Sequence, residues 1–233
     1  MHPTQLPSHV IDRIVFRRGR LHSFERVDSA RTALVVIDMQ NVFCAEGAAV
    51  EVTTAREIVP NINRLAQATR AVGGLVVWVQ MTVAKREEWA LVLDNLLSPS
   101  QAERVLDGIK PGSEGQKLWP AVETHASDLI ITKNRFSAFL PSSSNITQEL
   151  RQRGIESVII VGTLTNVCCE SSARDAAMQD FKTFMISDAN AARTDEEHLG
   201  TLVNFIQTFG DVRSTDEMIF LLETGAQKLA KRA

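Results

Sequence analysis

Cysteine is scarce in this chain: three residues in 233, two of them adjacent at positions 168 and 169. So few thiols cannot build a disulfide framework, and a reducing cytoplasm is the expected compartment. No apolar run approaches the length that a membrane span needs. The stretch from Met1 to Arg31 carries Arg13, Arg17, Arg18 and Arg20 but no continuous apolar segment, so it does not read as a secretory leader. It reads as an arm or edge strand used in oligomer contacts. A net charge of −3, with Lys and Arg scattered along the chain, argues against nucleic acid as a partner. Internal repeats and low-complexity tracts are absent. Where a nucleotide-binding module would place a glycine-rich phosphate loop, this chain has Asp38-Met-Gln-Asn-Val-Phe43. None of the five histidines (His2, His9, His22, His125, His198) falls at metal-ligand spacing, so neither metal nor other cofactor is expected.

What is present is an apolar content of 44%, enough for one sizeable α/β domain over residues 31–233 behind an arm at 1–30. Four apolar, β-rich segments read as buried parallel strands: Ala33–Met39, Leu75–Gln80, Asp128–Thr132 and Ser157–Gly162, with a weaker fifth at Thr183–Ser187. Helical spacing fills the gaps at Thr54–Val72, Asn145–Arg153 and Val167–Gln179. Strand alternating with helix predicts βαβ crossovers and a parallel sheet covered on both faces. Residues 81–127 are irregular apart from a helical Gln101–Asp107, and a connection of that length usually covers a site.

Open parallel sheets bind ligands at the carboxyl ends of their strands. The first four predicted strands lead, at those ends, to Asp38, to Gln80, to Lys133 and to the run Gly162 to Cys168. A carboxylate, an ammonium and a thiol thus converge on one rim. Cys168 falls where a strand hands over to a helix, and unpaired N–H groups there favour thiolate and oxyanion alike. A nucleophile beside an acid–base group, held by a third, is what covalent catalysis requires. Each member has a plainer reading. Most free cysteines are small buried hydrophobes, and Cys44 and Cys169 read that way. Lys133 could be an ordinary solvated lysine, Asp38 a turn-capping carboxylate. Against the last, Val35, Val36, Ile37 and Met39 make an unpaired charge costly there. Trp78 reads as core, and His198 as part of a surface or packing helix.

Three blocks, Ala33-Leu-Val-Val-Ile-Asp-Met-Gln40, Ile131-Thr-Lys-Asn-Arg-Phe-Ser-Ala-Phe139 and the run from Val161 to Ala176, resemble the signature blocks of the isochorismatase-like cysteine hydrolases. Similarity continues through Ser187-Asp-Ala-Asn-Ala191 and Thr194-Asp-Glu-Glu-His198, and covers nearly everything from Arg31 to Leu222. The resemblance implies a three-layer α/β/α fold with a mainly parallel, Rossmann-like sheet. It implies a triad of Asp38, Lys133 and Cys168, with the cysteine after Thr165-Asn166-Val167 as nucleophile, and a cis peptide before Leu164. The N–H groups of Leu164 and Cys168 would then form the oxyanion hole. Thiolate attack on an amide or ureide carbonyl would pass through a thioester, releasing ammonia or carbamate.

Nicotinamidases of the family carry an Asp/His metal cluster after the first two strands, and this chain has no histidine between His22 and His125. Isochorismatases proper hydrolyse a vinyl ether without a thiol; retention of Cys168 favours amide chemistry over that alternative. The blocks look closest to ureidoacrylate and N-carbamoyl amidohydrolases. One departure is Trp78-Val79-Gln80-Met81, where ureidoacrylate amidohydrolases place an asparagine after the glutamine. The expectation is therefore a small linear amide, ureido or N-carbamoyl substrate, handled by a homodimer or homotetramer that binds neither nucleic acid nor membrane. Asn41, Phe43, Gln80, Arg135, Phe136 and Asn166 are the candidate substrate-binding residues, Phe136 as an apolar wall and Arg135 as a partner for a carboxylate. A redox protein is a rival reading, but adjacent cysteines lack the spacer of a dithiol motif. A relative that kept the fold and only binds its ligand is the other.

Overall fold

The structure, a computed structural model, describes residues 1–230. The last three residues of the expected 31–233 domain lie outside the described residues. Six strands form one sheet: β1 (Thr32–Ile37), β2 (Leu75–Met81), β3 (Leu129–Lys133), β4 (Ser157–Thr163), β5 (Lys182–Ala191) and β6 (Asp211–Arg213). Their order is β3-β2-β1-β4-β5-β6 and every pairing is parallel. The chain starts in the middle, builds outward to β3, then returns to build the other half from β4. The reversal lies between β1 and β4, which is where such sheets open a crevice at their carboxyl edge.

Side-chain alternation sorts the strands onto two cores. Leu34, Val36, Trp78, Ile159, Val161 and Phe184 face helices α3 (Val59–Ala71) and α9 (Thr215–Ala230). Ala33, Val35, Ile37, Val77, Val158 and Ile160 face α6 (Ile146–Gln152), α7 (Glu170–Met178) and α8 (Asp195–Thr208). Both faces of β1 and β4 are buried along their whole length, which is why they read as unbroken apolar runs. Helix α3 begins at Pro60 on its second position and ends in Gly73, whose φ of 78° only glycine adopts without strain.

The predicted strands match the sheet to within a residue or two at most ends. The main difference is β5, which runs on to Ala191. Strand β1 stops at Ile37 because Asp38 turns into the left-handed region with φ 53°. The arm holds no edge strand. Ser8–Arg18 forms helix α1, and its Val10 and Ile14 pack into the same core as α8. Its only strong local stop is Gly19 in the left-handed conformation, and its apolar face is short, so only the tertiary contact makes it evident. The long connection contains α4 (Ala90–Asn95) and α5 (Pro99–Ile109), capped by the Ser98 side chain. A helical turn, α2 (Asn41–Cys44), comes after β1.

Gly162 sits near the end of β4 at φ 115°, and a Cβ built there would lie 2.1 Å from the Ile37 carbonyl oxygen of β1. Gly162→Ala is expected to cost about 3 kcal/mol or more in folding free energy, read by urea denaturation, because the clash is with the β1 backbone at Ile37 and no side chain can move to relieve it. A loss below about 1 kcal/mol would show that the β1–β4 contact yields.

Candidate active site

Asp38 leaves the end of β1, but its N–H still donates to the Val79 carbonyl of β2 at 2.9 Å. The carboxylate is fully buried. Lys133 ends β3, two strands away, and register pairs it with Met81 of β2. Its Nζ donates to Asp38 Oδ2 at 2.8 Å and to the Arg135 carbonyl at 3.2 Å, and lies 3.6 Å from Met81 Sδ. Both side chains of this ion pair have no solvent exposure. Asp38 Oδ1 is buried and has no hydrogen-bond partner within the chain.

Cys168 completes the group from the far side of the switch point. After β4 the Thr163–Leu164 peptide is cis, and Thr165–Cys169 winds as a single π-helical turn that runs into α7. The Leu164 carbonyl accepts from the N–H groups of Val167 and Cys169, both at 3.1 Å. The thiol is 5% exposed and close enough to Asp38 and Lys133 for all three acidities to be linked. Burial pushes the Cys168 thiol well up, the Asp38 charge pushes the same way, and Lys133 opposes both. Burial also raises Asp38 above its ordinary value, with Lys133 pulling against it. For Lys133 burial works to lower the value, yet the Asp38 charge and then Cys168 keep the ammonium above its ordinary value. The site thus holds a buried Asp38–Lys133 contact beside a thiol whose acidity burial weakens. Position at a helix start favours the thiolate by roughly 0.3–1 kcal/mol, whereas burial works the other way by up to about 3–5 units of acidity.

Cys168 opens onto a cavity of about 250 Å³. Of the candidate substrate-binding residues, Phe43 and Phe136 line it. Phe136 packs edge-on against Trp89, with ring centroids 5.2 Å apart. Asn41 and Gln80 do not line it; their side-chain amides donate to the carbonyls of Glu114 at 2.8 Å and Gln116 at 2.9 Å. Arg135 turns away to the Asn134 carbonyl, 2.7 Å off, and Asn166 is half-buried with an unpartnered Oδ1 outside the lining. Residues 81–127 do cover the site, supplying Trp89, Val92, Leu97, Val105 and Ile109 to its wall. Arg193, absent from the sequence expectations, is the one charged lining residue, exposed at the mouth. Gln40 is the other omission. Fully buried, it donates to the Met81 carbonyl at 3.1 Å and accepts from the Met81 N–H at 2.7 Å, tying the end of β1 to that of β2. Its place two residues after Asp38 was the only available signal.

Cys169 and Cys44 are buried away from the cavity, and burial pushes Cys44 up to about 12. Trp78 is core, its indole N–H donating to Asp128 Oδ2 at 2.8 Å. His198 is wholly buried on α8, against the turn that carries Cys168. Its Nε2 lies 3.0 Å from the Ser187 carbonyl and so carries the proton, leaving Nδ1 to accept from the Thr165 hydroxyl at 2.9 Å. Burial, and next the neighbouring His2 ring stacked at 4.7 Å, lowers its pKa from 6.5 to about 4.

The isochorismatase domain family matches residues 32–217. A probable inactive nicotinamidase of Arabidopsis thaliana is 32% identical over 175 residues, spanning 74% of this chain and 87% of that one. The ureidoacrylate amidohydrolase of Agrobacterium fabrum is 28% identical, over 84% of this chain and 92% of its own. Among solved structures, a cysteine hydrolase from Pseudomonas syringae pv. phaseolicola superposes with a TM-score of 0.78 at 28% identity, covering 87% of this chain and 97% of that one.

A histidine whose pKa is lowered in the folded state holds stability that is complete above its unfolded value and drains away as pH falls. Stability is accordingly expected to fall between pH 6.5 and about 4 on account of His198, with a slope approaching 1.4 kcal/mol per pH unit. In His198→Gln this part of the slope disappears. Equal slopes in the two proteins over that range, by denaturant titration, would refute the assignment.

Proposed function

Starting from the fact that the chain belongs to the isochorismatase domain family of cysteine hydrolases, we propose that it hydrolyses the C–N bond of a small linear amide, ureido or N-carbamoyl compound through a thioester on Cys168. The observation that carries this reading is the buried Asp38–Lys133 pair beside a thiol that faces a cavity. Asp38, made more basic by burial, takes the proton from Cys168 once a carbonyl carbon is within reach. Lys133 stays charged and offsets the negative charge that then spreads over sulfur and carboxylate. The backbone N–H groups of Leu164 and Cys168 receive the oxyanion. Asp38 passes the proton to the departing nitrogen, and water then releases the acyl group from sulfur. No step calls for a cofactor.

The activity named for the Agrobacterium fabrum relative supports the substrate class, and the three ordered sequence blocks support the roles. The thiol argues for amide chemistry over vinyl ether hydrolysis. Arg135 and Asn166 stay candidates for contacts made only when substrate is bound. We also propose a cytoplasmic homodimer or homotetramer.

Cys168→Ala is expected to lower ammonia release by at least about 10⁴-fold with folding intact by circular dichroism. Substantial turnover by that variant would end the thioester mechanism. The acid limb of kcat/KM reports the free carboxylate. Because Asp38 is raised, activity should fall as pH drops through a midpoint above 3.8, the ordinary carboxylate value. A midpoint at or below 3.8 would remove Asp38 as the base.

A further inference from the structure

The cavity lining is more selective than a general amide or ureido specificity requires. Of its side chains only Cys168 and Arg193 are not hydrophobic, and Arg193 is exposed at the mouth. A ureido or carbamoyl acid brings a second N–H and a carboxylate beside the scissile amide. Buried without partners, such groups are strongly penalised. The strand-end amides of Asn41 and Gln80 lie outside the lining, their side-chain N–H groups donating to the Glu114 and Gln116 carbonyls. A cavity of about 150 Å³ walled by Leu, Ile and Phe stays dry and takes a benzene. The one here, about 250 Å³ with Cys168 in its wall, has room for a group of that size.

Resting on Cys168 as the nucleophile, we infer that the substrates are primary carboxamides whose acyl group is a hydrocarbon chain or ring of about six carbons. The acyl carbon bonds to Sγ as its C–N bond breaks, and ammonia leaves with the thiol proton carried by Asp38. Water then splits the S–C bond, giving the carboxylic acid and restoring the thiol. The apolar wall binds the part of the substrate that does not react. Helices α4 and α5, which supply Val92, Val105 and Ile109, are thus the specificity element.

The test uses the full chain with acetamide, butyramide, hexanamide, benzamide, N-carbamoylglycine and 3-ureidopropionate, following ammonia. Each added methylene is expected to raise kcat/KM about fourfold, so hexanamide, longer by four, exceeds acetamide about 250-fold. Both carbamoyl acids fall below acetamide. Val92→Phe, which narrows the cavity, flattens that slope. Carbamoyl acids turned over faster than hexanamide, with the rate lost in Cys168→Ala, would overturn this inference and leave the thioester reading standing. If nothing is turned over in a Cys168-dependent way, the thioester reading falls instead, and calorimetry on Cys168→Ala decides the cavity. Hexanamide binding at least tenfold tighter than N-carbamoylglycine supports the apolar preference; equal or reversed affinities overturn it.

Discussion

The Asp38–Lys133 contact, 2.8 Å long and shut off from solvent, is the constraint to which the rest of this molecule answers. Each partner alone would be an uncompensated buried charge, costing several kcal/mol, and only tight geometry repays the pair. That geometry needs three strands in fixed register. Asp38 must leave β1 while still bonded to Val79 of β2, and Lys133 must arrive opposite Met81. The pair is neutral in sum, so the site tolerates a neutral thiol beside it and resists a thiolate.

The same rim explains where the polar side chains went. The connection from Met81 to Ser127 crosses the carboxyl edge of the sheet, and its backbone carbonyls there need donors. Gln40, Asn41 and Gln80 provide them, to Gln116, Glu114 and Gln116 respectively. Asn41 and Gln80 look like ligand-binding groups in the sequence because they follow or end strands, yet their side-chain N–H groups anchor the cover. What remains to face Cys168 is the apolar side of α4 and α5. Polar strand ends and an apolar cavity are two consequences of one long insertion.

Much of this was legible in the chain. Buried parallel strands give apolar runs, and one charged or reactive residue just past each run stands out against them. Asp38, Lys133 and Cys168 could therefore be named before any geometry, and the cis peptide before Leu164 came from the resemblance. The cavity wall was not legible, since Val92, Val105 and Ile109 differ in no way from core residues until the chain folds. Nor was α1, whose Val10 and Ile14 gain meaning only against α8. Strand β6, three residues long, is too short for any periodicity. The depth at which Cys168 is buried, which pushes its acidity against the local dipole effect, is a global property that no local position carries.

Two departures from regular structure lie at the strand ends beside the site, and each is secured by a buried amide. At the end of β1, Asp38 adopts φ 53°, a conformation that costs an L-residue about 1–2 kcal/mol and that aspartate bears better than most. Gln40 bridges that end to Met81 with two hydrogen bonds. Between β4 and β5 the register shifts at Ile160 and Gly162, which leaves carbonyls out of step with their ladder. Asn190 fills the gap, its Nδ2 donating to Ile160 at 3.0 Å and to Ile186 at 2.8 Å. Because each irregularity is fastened by a side chain in the interior, both strand ends are set by the fold itself.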